Sequence, residues 1–449
     1  MSRITRTGSA LLAGATVATL ALSPLLSPLA SAAPATKPDA GATTDGADWL
    51  TSQLTGGLIH NSSYDFDDYG LSIDAALGLA AVGGHKPEVK VIARAVAKNV
   101  ASYTGAPDVY AGSVAKSLVL AQVSGQNPTS YGGVNLVSTL EGRVSTAAPI
   151  AGRITDSSAF GDYANTIGQA YAVRGLTAAD SKLADEASAF LLSQQCRSGS
   201  FRLYFNADKT APKQGCAEGK AGSEPDTDAT ALAVINLLAG GEPTKAEQKA
   251  VAKAADWLVE TQANNGSFGG GSSTETANSN STGLAGWALA LSGDTEAAAK
   301  AAAWVRKQQP VDIGVCGSEL TAETGAIGYD AKAVKAGRTD GLAGDAEDQW
   351  RRATAQALPV LQWAPDGIGR LALAAPAKEL KGGREFKVTV SGLAKGQQAC
   401  VWVHGSMARV VGKGKTVGAT LTVPSGVKAA KVKIRTLDAK ASTSISVRN

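Results

Sequence analysis

From Ala47 to about residue 365, apolar positions recur at helical spacing in two alternating kinds of segment. One kind is amphipathic and ends on an aromatic residue followed by Gln. Phe190-Leu191 and Trp257-Leu258 open two copies that share aromatic-L-x-x-x-Q-x-x-x-G-S-F, ending at Phe201 and Phe268. Trp49-Leu50-Thr51-Ser52-Gln53 and the truncated Trp304-Val305-Arg306-Lys307-Gln308 are two further copies. The other kind is apolar nearly all round. It follows a pattern [DN]-x-[DN]-x-x-[AG]-L, seen at Asp226–Leu232 and Asn278–Leu284 and aligned with Asp65–Leu71. Weaker copies begin near Asp108 and Asp162, and Glu323-Thr324-Gly325 opens a last one.

A helical hairpin of this kind cannot bury its apolar face alone, so neighbours must stack. A helix that is apolar all round needs a second layer of helices outside it. The pattern therefore predicts a mainly α domain over 45–365. It is a closed α/α toroid of about five to six hairpins, with apolar helices inside and amphipathic ones outside. After Pro365 the period drops from 3.6 to 2. Runs such as Glu385–Leu393, Cys400–Gly405 and Ala430–Asp438 alternate, with Gly-, Pro- and Lys-rich turns between them. Residues 370–449 are expected to form a small all-β, immunoglobulin-like sandwich of about seven strands.

The N-terminus changes the picture of where the chain works. Arg3 and Arg6, an apolar stretch from Leu11 to Leu29, and Ala30-Ser31-Ala32 have the plan of a secretory signal peptide over 1–32. Residues 33–44 read as a short Ala/Pro/Thr-rich linker. No later apolar run reaches the ~20 residues a membrane span needs, so the mature chain is expected outside the cell, free or associated with the wall. Four cysteines then meet oxidising conditions. Cys196 and Cys216 flank one loop and are the expected disulfide; Cys316 and Cys400 either pair across the two domains or stay free. There is no C-x-x-C and there are three histidines, so neither a Cys/His metal site nor a cofactor is expected.

Charge separates the two parts. From Lys378 to Arg448 ten Lys and four Arg face three acids, a net of +11, while the whole chain carries +4. The toroid is therefore acidic and the β module basic. The module is expected to attract an anionic cell-wall polymer. Nucleic acid is not expected, because aromatics do not interleave with the basic residues.

The repeat "WLVETQANNGSFGG" resembles that of the prenyltransferase and squalene-cyclase superfamily, whose members fold as α/α toroids. The resemblance covers about 320 residues, and the fold it implies also serves carriers and thioester-containing proteins. Asp226-Thr227-Asp228-Ala229-Thr230-Ala231 is similar to the D-x-D-D-T-A acid motif of class II terpene cyclases, with Ala229 in place of the third acid. The resemblance implies Asp228 as proton donor and Asp226 as its support. Asp65-Phe66-Asp67-Asp68 spells D-x-D-D but lacks the T-A. A thioester is not supported, since Cys316-Gly317-Ser318-Glu319 ends in Glu.

The exchange of Asp for Asn at Asn278 and Asn280 favours helix capping over acid chemistry, since Asn caps but cannot donate as an acid. Capping and binding are compatible. If the inner helices run the same way, Asp65, Asp67, Asp68, Asp162, Asp226, Asp228, Asn278, Asn280 and Glu323 gather at one mouth. Trp287 and Tyr171 are the aromatic candidates on inner helices. The expectation is a secreted binding or scaffolding protein of the envelope, holding a small molecule or peptide in the toroid. The alternative is a divergent terpene-cyclase-like enzyme with Asp228 as general acid.

Overall fold

The computed structural model describes residues 40–271, 274–367 and 369–448, all within one compact unit. The expected signal peptide lies outside the described residues. In chain order the helices are α1 (Ala40–Ser52), α2 (Tyr69–Val82), α3 (Lys86–Lys98), α4 (Val100–Thr104), α5 (Ala111–Ser124), α6 (Leu136–Glu141) and α7 (Thr166–Thr177). They continue with α8 (Ala184–Ser193), α9 (Thr227–Ala239), α10 (Lys245–Thr261), α11 (Ser279–Ser292), α12 (Thr295–Arg306), α13 (Ala331–Asp340) and α14 (Asp345–Ala357). A 3₁₀ segment, Leu358–Trp363, follows directly.

Six of these form a closed inner ring, neighbours in the order α2, α5, α7, α9, α11, α14 and back to α2. Behind them stand α3, α6, α8, α10, α12 and α1, and the first helix of the domain closes the ring against the last. The sixth hairpin is therefore built from both ends of the domain. Helix α1 takes in Ala40–Thr44, the end of the stretch read as linker, because Ala42 and Ala47 are buried in the core. Small residues set how closely the inner helices pack: a Cβ at Gly283 of α11 would meet Ala357 of α14.

The inner helices run parallel. Lys116 of α5 meets Asp74 of α2, each six residues past its own N-cap, and Gln122 of α5 donates to the Gly175 carbonyl of α7. Four of the six starts are capped by side chains that accept a backbone N–H three residues on: Asp68 from Leu71, Asn165 from Gly168, Asp226 from Ala229 and Asn278 from Ser281. This corrects the alignment of the first repeat by three residues. Asp68, not Asp65, is the counterpart of Asp226. The last inner helix begins at Asp345, not near Glu323, which lies in a turn and accepts from the Trp49 indole at 2.7 Å.

The C-terminal residues form a two-sheet sandwich. After a small arm of β1 (Leu54–Thr55), β2 (Leu58–Asn61) and β3 (Phe66–Asp67) near the chain start come β4 (Ala372–Ala374), β5 (Leu380–Lys381), β6 (Glu385–Ser391) and β7 (Gln398–Val403). Strands β8 (Ser406–Val411), β9 (Val417–Thr422), β10 (Ala429–Arg435) and β11 (Lys440–Arg448) complete it. One sheet has the order β5-β11-β10-β7-β8 and the other β4-β6-β9. Val388, Leu421, Val401 and Ile434 meet in their shared core. Among the described residues eight strands appear where about seven were expected, and β4 and β5 are too short to show alternation. Cys196 pairs with Cys216 as expected, and Cys316 pairs with Cys400, which ties the toroid to the β module. Asp312 of the toroid adds ion pairs to Arg338 at 2.8 Å and to Arg409 of β8 at 3.4 Å. Among the described residues no helix is long and apolar enough to cross a membrane.

Candidate functional site in the toroid lumen

The lumen is lined by the side of each inner helix that faces the axis. The residues six past the N-cap form one layer: Asp74, Lys116, Tyr171, Leu232 and Leu284. They surround a cavity of about 160 Å³, completed by Gln356 of α14. One turn further down, a second cavity of about 320 Å³ lies among the last turns of the inner helices, with Arg174, Asn236 and Trp363 on its walls. Leu77, Tyr171, Leu232 and Trp287 line both cavities and make an apolar waist between them.

The upper chamber holds a charged pair in an otherwise apolar layer. Lys116 Nζ lies 2.6 Å from Asp74 Oδ1 and donates to the Gly70 carbonyl at 2.9 Å. Both side chains are mostly buried, at 17% and 15% exposure. Burial works against the Lys116 charge, but Asp74, with Tyr103 and Tyr171 behind it, outweighs this and holds the ammonium above its ordinary value. Burial pushes the Tyr171 hydroxyl up to about 12, with Asp74 adding and Lys116 opposing. Tyr171 is thus a neutral donor at any physiological pH, and its ring lies 6.0 Å from Lys116 Nζ. Arg174, in the lower chamber, is held below its usual value by burial.

The mouth above this chamber is largely closed by its own polar contacts. Arg352 of α14 pairs with Asp68 and with Asp348. Asn280 donates to Gln356 at 2.8 Å. The Gly-rich loop after Phe268 lies over the two carboxyls of the opening of α9. A Cβ at Gly270 would stand 3.0 Å from Asp228 Oδ2 and 2.9 Å from Ser281 Oγ, so only glycine lets the backbone come this close.

The two carboxyls have different work. Asp226 caps α9, and neither it nor Asp228 is among the residues that line the two cavities. Burial pushes it up, and the Ala229 and Asp228 N–H groups oppose this. Asp228 caps nothing, and its Oδ1 is buried without a hydrogen-bond partner among the described residues, as is Ser281 Oγ. Burial pushes its carboxyl up to about 6, with the nearby Ser281 hydroxyl opposing and the Asp226 charge adding. It sits two residues past the cap, the position that Ile167 and Asn280 hold on α7 and α11, above the upper chamber.

The other residues expected at the mouth are dispersed. Asp65 and Asp67 belong to the arm and face His60 at 3.5 and 3.0 Å. Asp65 is fully exposed. Asp162 lies between Arg153 at 3.0 Å and Lys209 at 2.7 Å, and accepts the Asp156 and Ala164 N–H groups; it ties loops together outside the lumen. Of the expected set, Trp287 lines both cavities. Asp74, Lys116 and Gln356 were missed. The available signal was a charge inside an apolar run, "SIDAALG" and "VAKSLVL", at one offset from two helix starts. Among the described residues no cluster of three His, Cys, Asp or Glu side chains suits a metal ion.

No family model matches the chain, and no curated protein matches it. Among solved structures it is similar to a protein from Actinoplanes, with 17% identity over 72% of this chain and 98% of that one and a TM-score of 0.48. It is also similar to a type II terpene cyclase from Scytonema, with 15% identity over 72% and 96% and a TM-score of 0.49. An ent-copalyl diphosphate synthase from Streptomyces platensis matches with 15% identity over 66% and 50% and a TM-score of 0.41. The chain is thus similar to solved terpene cyclases at TM-scores below 0.5, and what it does has to be read from its own lumen.

Proposed function

We propose that the lumen binds a small, mainly apolar molecule with one polar end, as the work of a secreted binding protein. The observation that carries this is the apolar waist of Leu77, Tyr171, Leu232 and Trp287, set directly below the buried Asp74–Lys116 pair. A concave apolar site with few fixed polar groups is the common form of a small-molecule pocket. The polar end meets Lys116, Tyr171 and Gln356, and the apolar body passes the waist towards the lower chamber. Two disulfides suit a chain that works outside the cell.

A second reading makes the same lumen a terpene-cyclase-like active site with Asp228 as general acid. One observation favours it: Asp228 is freed from capping and held near 6 by burial, so part of it carries a proton at neutral pH. The terpene cyclases named above agree with it, at scores too low to weigh. Against it stands the Lys116 charge, which opposes a carbocation in the chamber, and the lumen offers few aromatic faces to stabilise one.

Incubation with a C15 prenyl alcohol, followed by extraction and mass analysis, separates the two. Recovery of the unchanged alcohol bound one to one supports binding. Isomers of the alcohol that form with the wild-type protein and not with folded Asp228→Asn establish the enzyme instead.

A further inference from the structure

A cavity away from the toroid lumen lies on the outer face of the five-stranded sheet. It is a groove of about 1050 Å³. Its floor is β10 and β11, and its wall is the segment Arg370–Leu373 that leads from the toroid into the module. Strand β10 alternates: Ala430, Val432 and Ile434 are buried in the sandwich, while Lys431, Lys433 and Arg435 stand exposed on the groove side. Neighbouring cations on one strand face are therefore about 7 Å apart. Lys433 lies directly opposite Trp402 of β7 on one side and Ser442 of β11 on the other. Arg435 lies opposite Lys440, and Lys431 opposite Ser444.

Five cations line the groove, Arg370 and Lys440 among them, against one acid, Asp438. That acid packs against Gly41 of α1, towards the toroid. Among the described residues Lys431, Lys433 and Arg435 have no ion-pair partner, and the self-repulsion of such a row is relieved by an external anion.

We propose that this groove is a docking site for an anionic polysaccharide. A linear chain with regularly spaced carboxylates or phosphates answers the row Lys431, Lys433 and Arg435. Its hydroxyls answer Ser442, which lies directly opposite Lys433 across the β10–β11 register. The half-buried indole of Trp402, in the middle of the row, offers a flat apolar face with a polar edge, against which a sugar ring packs. Single-stranded nucleic acid is a poorer fit, since it needs several aromatic platforms for successive bases and the groove has one. A membrane surface is a poorer fit because the site is concave and lacks an exposed apolar anchor.

The test is affinity electrophoresis and calorimetry of the full protein with polygalacturonate, using neutral dextran, duplex DNA and phosphatidylglycerol vesicles in parallel. Polygalacturonate is expected to bind, with affinity falling steeply as salt rises, because exposed charges are screened beyond about 10 Å at 0.1 M ionic strength. The triple variant Lys431→Ser, Lys433→Ser, Arg435→Ser is expected to lose at least about tenfold, and Trp402→Ala a smaller factor with the salt dependence kept. If the triple variant fails to fold by circular dichroism, Lys433→Ser alone is used and a two- to threefold loss is expected. Equal retention by dextran, wild-type affinity in the folded variants, or tighter binding to DNA or vesicles than to polygalacturonate each overturns the proposal.

Discussion

The Asp228 carboxyl gives a prediction whose sign and size both follow from its surroundings. Its folded value is about 6, against 3.8 for an unperturbed aspartate, and burial is the main cause. A carboxyl raised on folding binds its proton more tightly in the folded state. It favours folding fully below pH 4, and that contribution is lost as pH rises through 6. At neutral pH the ionised, buried group then costs about 3 kcal/mol relative to its protonated form. Asp228→Asn keeps the shape and removes the titration. It also leaves amide donors with few partners, at a cost of about 1–2 kcal/mol at every pH. Urea unfolding of both proteins between pH 4 and 8 measures the difference. The variant is expected to be the less stable at pH 4 and the more stable at pH 7.5, with the gap moving by about 2.5 kcal/mol across the window. A gap that stays constant within about 0.5 kcal/mol would show that the carboxyl is not held by burial, and the reasoning would fail.

Other substitutions test the rest of the frame. Asp226→Ala should cost about 1 kcal/mol and Asp226→Asn only a few tenths, because Asn keeps the cap; the same urea assay reads both. Lys116→Met strands Asp74 in the lumen and should cost about 3–5 kcal/mol, while the pair Asp74→Asn with Lys116→Met recovers most of that loss. Replacing Cys316 and Cys400 by Ser opens an 84-residue span and should lower stability by about 4 kcal/mol, seen as a lower melting temperature in calorimetry.

The ring architecture was legible because the hairpin pattern repeats through the chain, and repetition averages out local noise. The Gly-Ser-Phe turn recurs before α9 and α11, each of which then opens on an Asp or Asn cap, so the caps at Asp226 and Asn278 could be read directly. The first repeat was misaligned because two extra acids, Asp65 and Asp67, precede the true cap and imitate the pattern. The last was misplaced because helix α13 is inserted before the final inner helix, and that helix starts from Gly344 with no side-chain cap to mark it. The lumen was less legible than the ring. A mouth of converging carboxylates requires each to be free, whereas Arg352 holds Asp68, and Arg153 and Lys209 hold Asp162. Which charge meets which depends on the folded path of the chain, and Arg352 and Asp68 are 284 residues apart. The link between Cys316 and Cys400 was open for the same reason.

Calorimetric titration of the protein with a C15 prenyl alcohol tests the lumen most directly. A single saturable site is expected, weakened at least about tenfold by Ala80→Trp, which fills the lower chamber from its rim. The absence of saturable binding, or equal affinity in the folded Ala80→Trp variant, would contradict the assignment of the lumen as the ligand site.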